Sequence, residues 1–393
     1  MNSLSDAYPV CRARFESCSC SYLVMTDFIR FALGDQYSMI WSEDGRVWST
    51  PINSQGVHAP SRGVSKHFDQ VVASGAIAVA AGSGYSIVIK EDGNVWAVGR
   101  NSRGQLGDGR RKAKDKFTFV TVIPGAKAVA AGSGHTILLT EEGKIWATGS
   151  NKNGQLGEAL LTHNKTYGKT RFFRVPHSHA KAIAAGNFHN IVLNRDGSVW
   201  ATGRNHNGQL GDGSKADRGA FIQILSSYVA KVAAGGRHSM VLQEDGSVWA
   251  TGWNAYGQLG DGTTTDRVNY VQVVSSGAES IGGGSRHSIV LMQNGSVWTT
   301  GGNGYGQLGD GTTTNSVIFV QVMSGGAKSV ASGAFHLMIL KQDGSIWATG
   351  LNNNGQLGDG LTTSKTTFVR VTSFDNGAGH DMIIRRRMTF IIP

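Results

Sequence analysis

Cysteine, proline and charge are all scarce in this chain. Of its 393 residues only 3 are cysteine and 6 are proline, and 16% are charged. Cys11, Cys18 and Cys20 all lie near the N-terminus, ahead of any repeating pattern, so they do not staple the fold. A zinc site would want a fourth ligand and paired spacings of about two to four residues, so these side chains read as thiols on a loose terminal arm. No run of about 18 uninterrupted apolar residues occurs, which argues against a transmembrane helix. The opening MNSLSDAYPVCRARFESCSC mixes charged and polar residues where a secretory signal needs an apolar stretch of roughly 7 to 15 residues. The expectation is therefore an intracellular protein, cytoplasmic or nuclear, with no membrane partner. Catalytic signatures are missing too. There is no Gly-x-x-x-x-Gly-Lys-Ser/Thr phosphate loop, no His-Glu-x-x-His zinc helix and no Gly-x-Ser-x-Gly elbow, so the expectation is a non-enzyme without metal or cofactor.

Glycine, by contrast, is abundant, with 55 residues, and it recurs in register with tryptophan. Trp48, Trp96, Trp146, Trp200, Trp249, Trp298 and Trp347 each follow Val or Ile, at separations of 48, 50, 54, 49, 49 and 49 residues. A fixed period in this range signals a propeller or a solenoid rather than one irregular core. Each unit reads as four strands. Strand A is a small-residue run such as Ala78–Ala81 that ends at Gly, and strand B is an apolar run such as His238–Leu242. An Asp-Gly-type turn follows, at Asp44-Gly45, Asp92-Gly93, Glu142-Gly143, Asp196-Gly197, Asp245-Gly246, Asn294-Gly295 and Asp343-Gly344. Such turns match strand twist, so B and C form a hairpin. Strand C carries the Trp. Strand D follows a Gly-Gln-Leu-Gly-Asp-Gly loop and opens on Phe68, Phe119, Phe173, Phe221, Tyr270, Phe319 or Phe368.

One such meander cannot bury both faces, whereas a ring of them packs face against face. The expected fold is all-β: a seven-bladed β-propeller of four-stranded antiparallel blades, with the Trp and aromatic ladders between blades. A β-solenoid is the competing architecture, but it would need shorter, parallel coils. The expected organisation is a poorly ordered arm over residues 1–20, the propeller over 21–384 and a basic and apolar tail over 385–393, monomeric overall. Residues 377–384 restart the A–B pattern. Closure is expected to pair this tail with a strand near Ser21 to Met25, an eighth partial blade being an alternative outcome.

The string AGSGHTILLTEEGKIWATGSNKNGQLG, residues 131–157, and its counterparts resemble the repeat of the regulator of chromosome condensation family. The resemblance implies the propeller fold. It leaves function open, because family members include exchange factors for the Ran GTPase, modules of ubiquitin ligases, plant ultraviolet photoreceptors and bacterial β-lactamase inhibitors. In the exchange factors the turn position before the repeating His or Tyr supplies an acidic residue and a histidine. Here it carries Gln36, Gly84, Gly134, Phe188, Arg237, Arg286, Phe335 and Gly379. The Trp-rich turns of the photoreceptors are also absent. Guanine nucleotide exchange on a Ran-like small GTPase is therefore kept as the alternative to a scaffold reading.

Strand alternation puts the A–B turn and the long C–D loop on one face of the ring. The variable residues Phe188, Arg237, Trp253, Arg286 and Phe335 are the candidate partner-binding set, since aromatic and Arg side chains dominate interface hot spots. The formal charge is +10, and it clusters in the C–D loops of units 2 and 3. Arg103, Arg110, Arg111, Lys112, Lys114 and Lys116 in one, with Lys165, Lys169 and Arg171 in the next, form a candidate basic sector for an acidic surface, nucleic acid or chromatin. The one-per-unit histidines 135, 189, 238, 287, 336 and 380 read as fixing their own turns by bonds to backbone, not as a metal ring. The Asp of each Gly-Gln-Leu-Gly-Asp-Gly reads as a loop tie.

Overall fold

A computed structural model of the chain describes residues 29–50, 66–158, 168–371, 374–375 and 381–382. Seven antiparallel sheets follow one another along the chain, spanning residues 29–72, 76–122, 126–174, 180–225, 229–274, 278–323 and 327–370. These are blades 1 to 7, each with strands A, B, C and D in sheet order, and the solenoid alternative falls away. In blade 5 the strands are Val229–Ala234, His238–Gln243, Val248–Gly252 and Arg267–Val274. The B–C hairpins close as the sequence predicts. Gly246 takes φ +80° and its N–H bonds the Gln243 carbonyl at 3.1 Å, a conformation that a β-carbon disfavours.

Strand A is innermost. In blades 2 to 7 it ends on a small residue, Ala81, Ala131, Ala185, Ala234, Gly283 or Ser332, where the strands crowd round one axis and larger side chains would collide. Strand B is buried almost throughout: His135–Thr140 and His189–Asn194 are buried along their whole length. The core lies between blades. One cluster joins Ile137, Leu139, Ile145 and Ala147 of blade 3 to Ala180 and Val192 of blade 4, with Trp200 and Phe221 packed on it. Another joins Ile40, Trp48 and Phe68 of blade 1 to Met338, Leu340, Ile346 and Leu357 of blade 7, so the ring closes with the same packing that links its other blades. The Trp ladder is inter-blade core, as expected.

The strand-D aromatics differ in two blades. Phe221, Tyr270, Phe319, Phe368 and Phe68 each lie on the second Gly of the Gly-Gln-Leu-Gly loop of the preceding blade, where a β-carbon would overlap the ring. In blade 3 that position is taken by Phe172, on Gly107, rather than by Phe173. Phe119 of blade 2 is 46% exposed and meets Trp96 edge-on at 6.0 Å. Blade 1 gains strands from the C-terminal end of the chain. Phe374–Asp375 adds in parallel to Phe68–Val72, the outer strand of blade 1, and Asp381–Met382 folds back on it. These two short strands extend blade 1; Ser21 to Met25, the 1–20 arm and the 385–393 tail, on which the expected closure and the eighth-blade alternative rest, lie outside the described residues.

Candidate partner-binding face

The C–D loop is rigid because one asparagine organises it. Asn254 accepts from the Leu259 N–H at 3.0 Å, donates to Asp261 Oδ1 at 2.9 Å and to the Thr263 carbonyl at 3.1 Å. Gln258 Oε1 accepts from the Tyr256 N–H at 3.0 Å. Arg267 grips Asp261 Oδ2 with both Nε and Nη2, each at 2.6 Å. Burial would raise the Asp261 pKa, but bonds from Thr263, Arg267 and Asn254 outweigh it and hold the carboxyl below its ordinary value. Asn303 and Asn352 make the same bonds in blades 6 and 7. The repeated Asp is thus a loop tie, as the sequence predicts.

On this anchored loop two positions reach the A–B turns. The residue after the last Gly of strand C lies over the turn of its own blade: Arg204 over Phe188, with the guanidinium 5.7 Å from the ring centroid, and Arg237 over Trp253 at 5.2 Å. The residue two before the loop Gln lies over the turn of the next blade, as Arg103 does beside Gly134. In blade 5 that residue is Tyr256, and Arg286 of blade 6 stacks on it at 4.7 Å. In blade 6 it is Tyr305, which meets Phe335 of blade 7 at 5.5 Å, and Arg286 lies 5.8 Å from that same Phe335 ring. Trp253 and Tyr256 touch edge to face at 5.3 Å.

Four of the five predicted face residues, Arg237, Trp253, Arg286 and Phe335, therefore join one continuous band across blades 5 to 7. Phe188 stands apart in blade 4 with Arg204. Sequence reasoning missed Tyr256, Tyr305 and Arg204. The signal that would have found them is the spacing from the invariant loop Gln and from the strand-C Gly, two repeat positions as variable as the turn itself.

The basic loops of blades 2 and 3 do meet. The Gly109 N–H bonds the Thr170 carbonyl at 2.7 Å, the backbones of Asp108 and Arg171 pair in an isolated antiparallel β-bridge, and the Arg171 guanidinium lies against Gly109. Within this sector Lys114 pairs with Asp108 at 3.3 Å and Lys169 pairs with Glu158, so those two charges are largely balanced locally. Arg111 donates to the Ser102 carbonyl at 3.2 Å. Arg103, Arg110, Lys112, Lys116 and Arg171 are exposed. Lys165 lies outside the described residues.

The histidines do something the sequence did not show. Each ring lies on the Gly three residues before it, so that a β-carbon on Gly235 would overlap His238. The Nε2 atom reaches across to the next blade rather than to its own turn: His135 to Asn190 Oδ1 at 2.8 Å, His189 to Ser239 at 3.0 Å, His238 to Ser288 at 2.9 Å and His336 to Ser38 at 2.8 Å. Ser239 spends its own proton on the Gln209 carbonyl at 2.6 Å, so it accepts from the imidazole, which must carry its proton on Nε2. Tyr37 and Tyr85 do the same work in blades 1 and 2, their hydroxyls donating to the carbonyls of Tyr85 and His135. One link is absent. Opposite His287 stands Leu337, and both ring nitrogens of His287 are buried without a partner. Burial holds the imidazole pKa values down, to about 4 for His135 and His238 and about 3 for His189, His287 and His336. His380 lies outside the described residues.

The strand-A ends and turns enclose a cavity of about 360 Å³ at the axis, walled largely by Gly, Ala and Ser. Among its lining residues Asp35 alone carries a carboxylate; burial raises its pKa, opposed by a bond from Ser83 and by the charge of Arg100.

The repeat, the ring and the loop chemistry together define a propeller of known type. Two family models described as "Regulator of chromosome condensation (RCC1) repeat" match. One covers residues 76–105, 126–155, 180–209, 229–258, 278–307 and 327–356, and the other covers 92–139, 196–242, 245–291 and 294–340. The chain belongs to this family. Human WBSCR16 has a similar structure, with a TM-score of 0.71 and 22% identity, over 82% of this chain and 90% of that one. Prp20p from Saccharomyces cerevisiae, whose structure was reported with its binding properties to Gsp1p and histones, has a TM-score of 0.68 and 20% identity, over 81% and 82%. Yeast RCC1 (Prp20) bound to Kap60 has 0.64 and 19%, over 75% and 74%. At these identities the likeness is one of fold. No curated protein matches the chain in sequence. No helix is long and apolar enough to cross a membrane among the described residues.

Proposed function

We propose that this chain is a non-enzymatic interaction scaffold that holds a macromolecular partner, most simply a protein, on the face formed by the A–B turns and C–D loops. The observation that carries the reading is the band Arg237, Trp253, Tyr256, Arg286, Phe335 and Tyr305, a run of hot-spot residue types held on loops whose backbone is locked from beneath. Preorganised side chains lose little freedom on binding, which favours affinity. Prp20p, with its reported binding to Gsp1p and histones, supports protein partners for this fold. The exposed cations of blades 2 and 3 add a flank that attracts acidic surfaces and raises their encounter rate.

The test is affinity capture with the tagged full chain and with a variant carrying Arg237→Ala, Arg286→Ala and Phe335→Ala. The variant is expected to keep its unfolding midpoint and to lose the proteins enriched by the parent; an unchanged set of captured proteins overturns the assignment of the face. Exchange on a small GTPase is the narrower alternative. It is supported by the fold shared with Prp20p and opposed by turns that carry no acidic residue at the position before His or Tyr. Release of labelled nucleotide from a Ran-like GTPase no faster than the spontaneous rate removes it.

A further inference from the structure

Resting on the reading of this face as the docking surface, we propose that Arg237 and Arg286 form a paired fork that grips the carboxylates of an extended acidic protein segment. Both guanidinium groups are held by rings. Arg237 lies over Trp253, and Arg286 is held between Tyr256 and Phe335. A guanidinium stacked on a ring leaves its in-plane N–H groups available, and those are the groups that match a carboxylate with two parallel bonds. Neither arginine is in an ion pair or donates a hydrogen bond among the described residues, so both forks are free.

The acidic groups on the neighbouring loops are already engaged. Asp261 is held by Arg267, and Asp266 accepts from the Asn254 N–H at 2.9 Å and from Asn207 at 2.8 Å. The two arginines sit at equivalent turns of adjacent blades and are joined through Trp253 and Tyr256, so one segment crossing both turns meets both forks. A single-stranded nucleic acid fits less well, because base stacking needs open ring faces. Here Trp253 and Tyr256 are covered by guanidinium or by ring edge, and Tyr305, at 44% exposure, is the most open ring of the band.

The experiment uses the full chain and fluorescence anisotropy with three labelled probes: an Asp/Glu-rich peptide, the same peptide with Asn and Gln in place of Asp and Glu, and an oligothymidylate. At about 150 mM salt the screening length is ~8 Å, so distant charges contribute little and contact chemistry decides. The acidic peptide is expected to bind and the neutral one not. Arg286→Lys keeps the charge but loses the fork and the stacking, and should weaken binding about 10-fold. Arg237→Ala with Arg286→Ala should weaken it about 100-fold. A variant with Lys127→Ser and Lys181→Ser, exposed residues near the start of strand A in blades 3 and 4 and away from the turns and loops of the face, should change it less than about threefold at this salt.

Parent-like binding by Arg286→Lys, tighter binding of the oligothymidylate than of the acidic peptide, or no binding of the acidic peptide would each overturn the proposal. The outcomes separate it from the reading on which it rests. If the Arg237, Arg286 and Phe335 variant loses its captured proteins while the acidic peptide fails to bind, the face stands and the carboxylate chemistry falls. If that variant loses nothing and the peptide fails as well, both fall.

Discussion

A single side chain, Leu337, interrupts the polar circuit between blades. Every other blade places Ser, Thr or Asn at this position: Ser38, Ser86, Thr136, Asn190, Ser239 and Ser288. Leu337 leaves the His287 imidazole without a partner, and a buried unsatisfied group costs about 1 to 3 kcal/mol. Leu337 also packs with Ile289, Leu291 and Ile339, so removing it creates a cavity. Leu337→Ala should lower stability by about 2 to 4 kcal/mol. Leu337→Asn, which fills more of the space and offers His287 an acceptor as Asn190 offers His135, should recover about 1 kcal/mol of that loss. Urea unfolding of the two variants side by side decides the point, and an Asn variant no more stable than the Ala variant would show that the gap has no energetic cost.

At the scale of one element, the C–D loop shows what the sequence displayed and what it hid. Its Asn-x-x-Gly-Gln-Leu-Gly-Asp-Gly pattern announced a loop tied by its own Asp, and the bonds of Asn254 and Asp261 are that tie. Asn254→Ala removes an acceptor for a buried N–H and two donations at once. It should cost about 2 to 3 kcal/mol and loosen Tyr256, so the midpoint of thermal unfolding should fall while the far-ultraviolet strand signal persists. An unchanged midpoint would mean that Gln258 and Arg267 suffice to hold the loop.

What the pattern hid is how each loop registers against the next blade. Tyr256 and Tyr305 looked like ordinary loop residues because a period fixes position within a unit but says nothing about which neighbour a side chain overhangs. The same limit explains the histidines, whose partners lie about one period away, and Phe172, where two adjacent aromatics competed for one slot and the unit offered no means of ranking them. Strands, hairpins and blade number were legible because each is written within fifty residues of chain; the contacts across blades were not.

For the whole molecule, the buried imidazoles set the response to acid. His135, His189, His238, His287 and His336 have folded-state pKa values of about 3 to 4, below the 6.5 of an exposed imidazole. The unfolded chain therefore binds more protons than the folded one below about pH 6.5. Their contribution to stability is complete above that pH and is lost as pH falls from about 6.5 towards 4, at up to about 1.4 kcal/mol per imidazole per pH unit. The lowered carboxyls Asp212 and Asp261 add a loss of the same sign only at still lower pH. Urea midpoints at several pH values should fall steeply over this window. A flat response between pH 6.5 and 5 would mean that the rings charge in place and the links open locally.

The band of rings and guanidiniums does not sit on one blade; it spans the joints between blades 5 and 6 and between blades 6 and 7. The second of these is the joint where His287 faces Leu337 and no imidazole link is made. The seat of Arg286, with Tyr256 of blade 5 on one side and Phe335 of blade 7 on the other, thus straddles the joint that lacks the imidazole link, whereas the joint between Arg237 and Arg286 keeps its His238–Ser288 link. A partner docked across Arg286 and Phe335 would splint that joint from outside, where the ring has no polar link of its own.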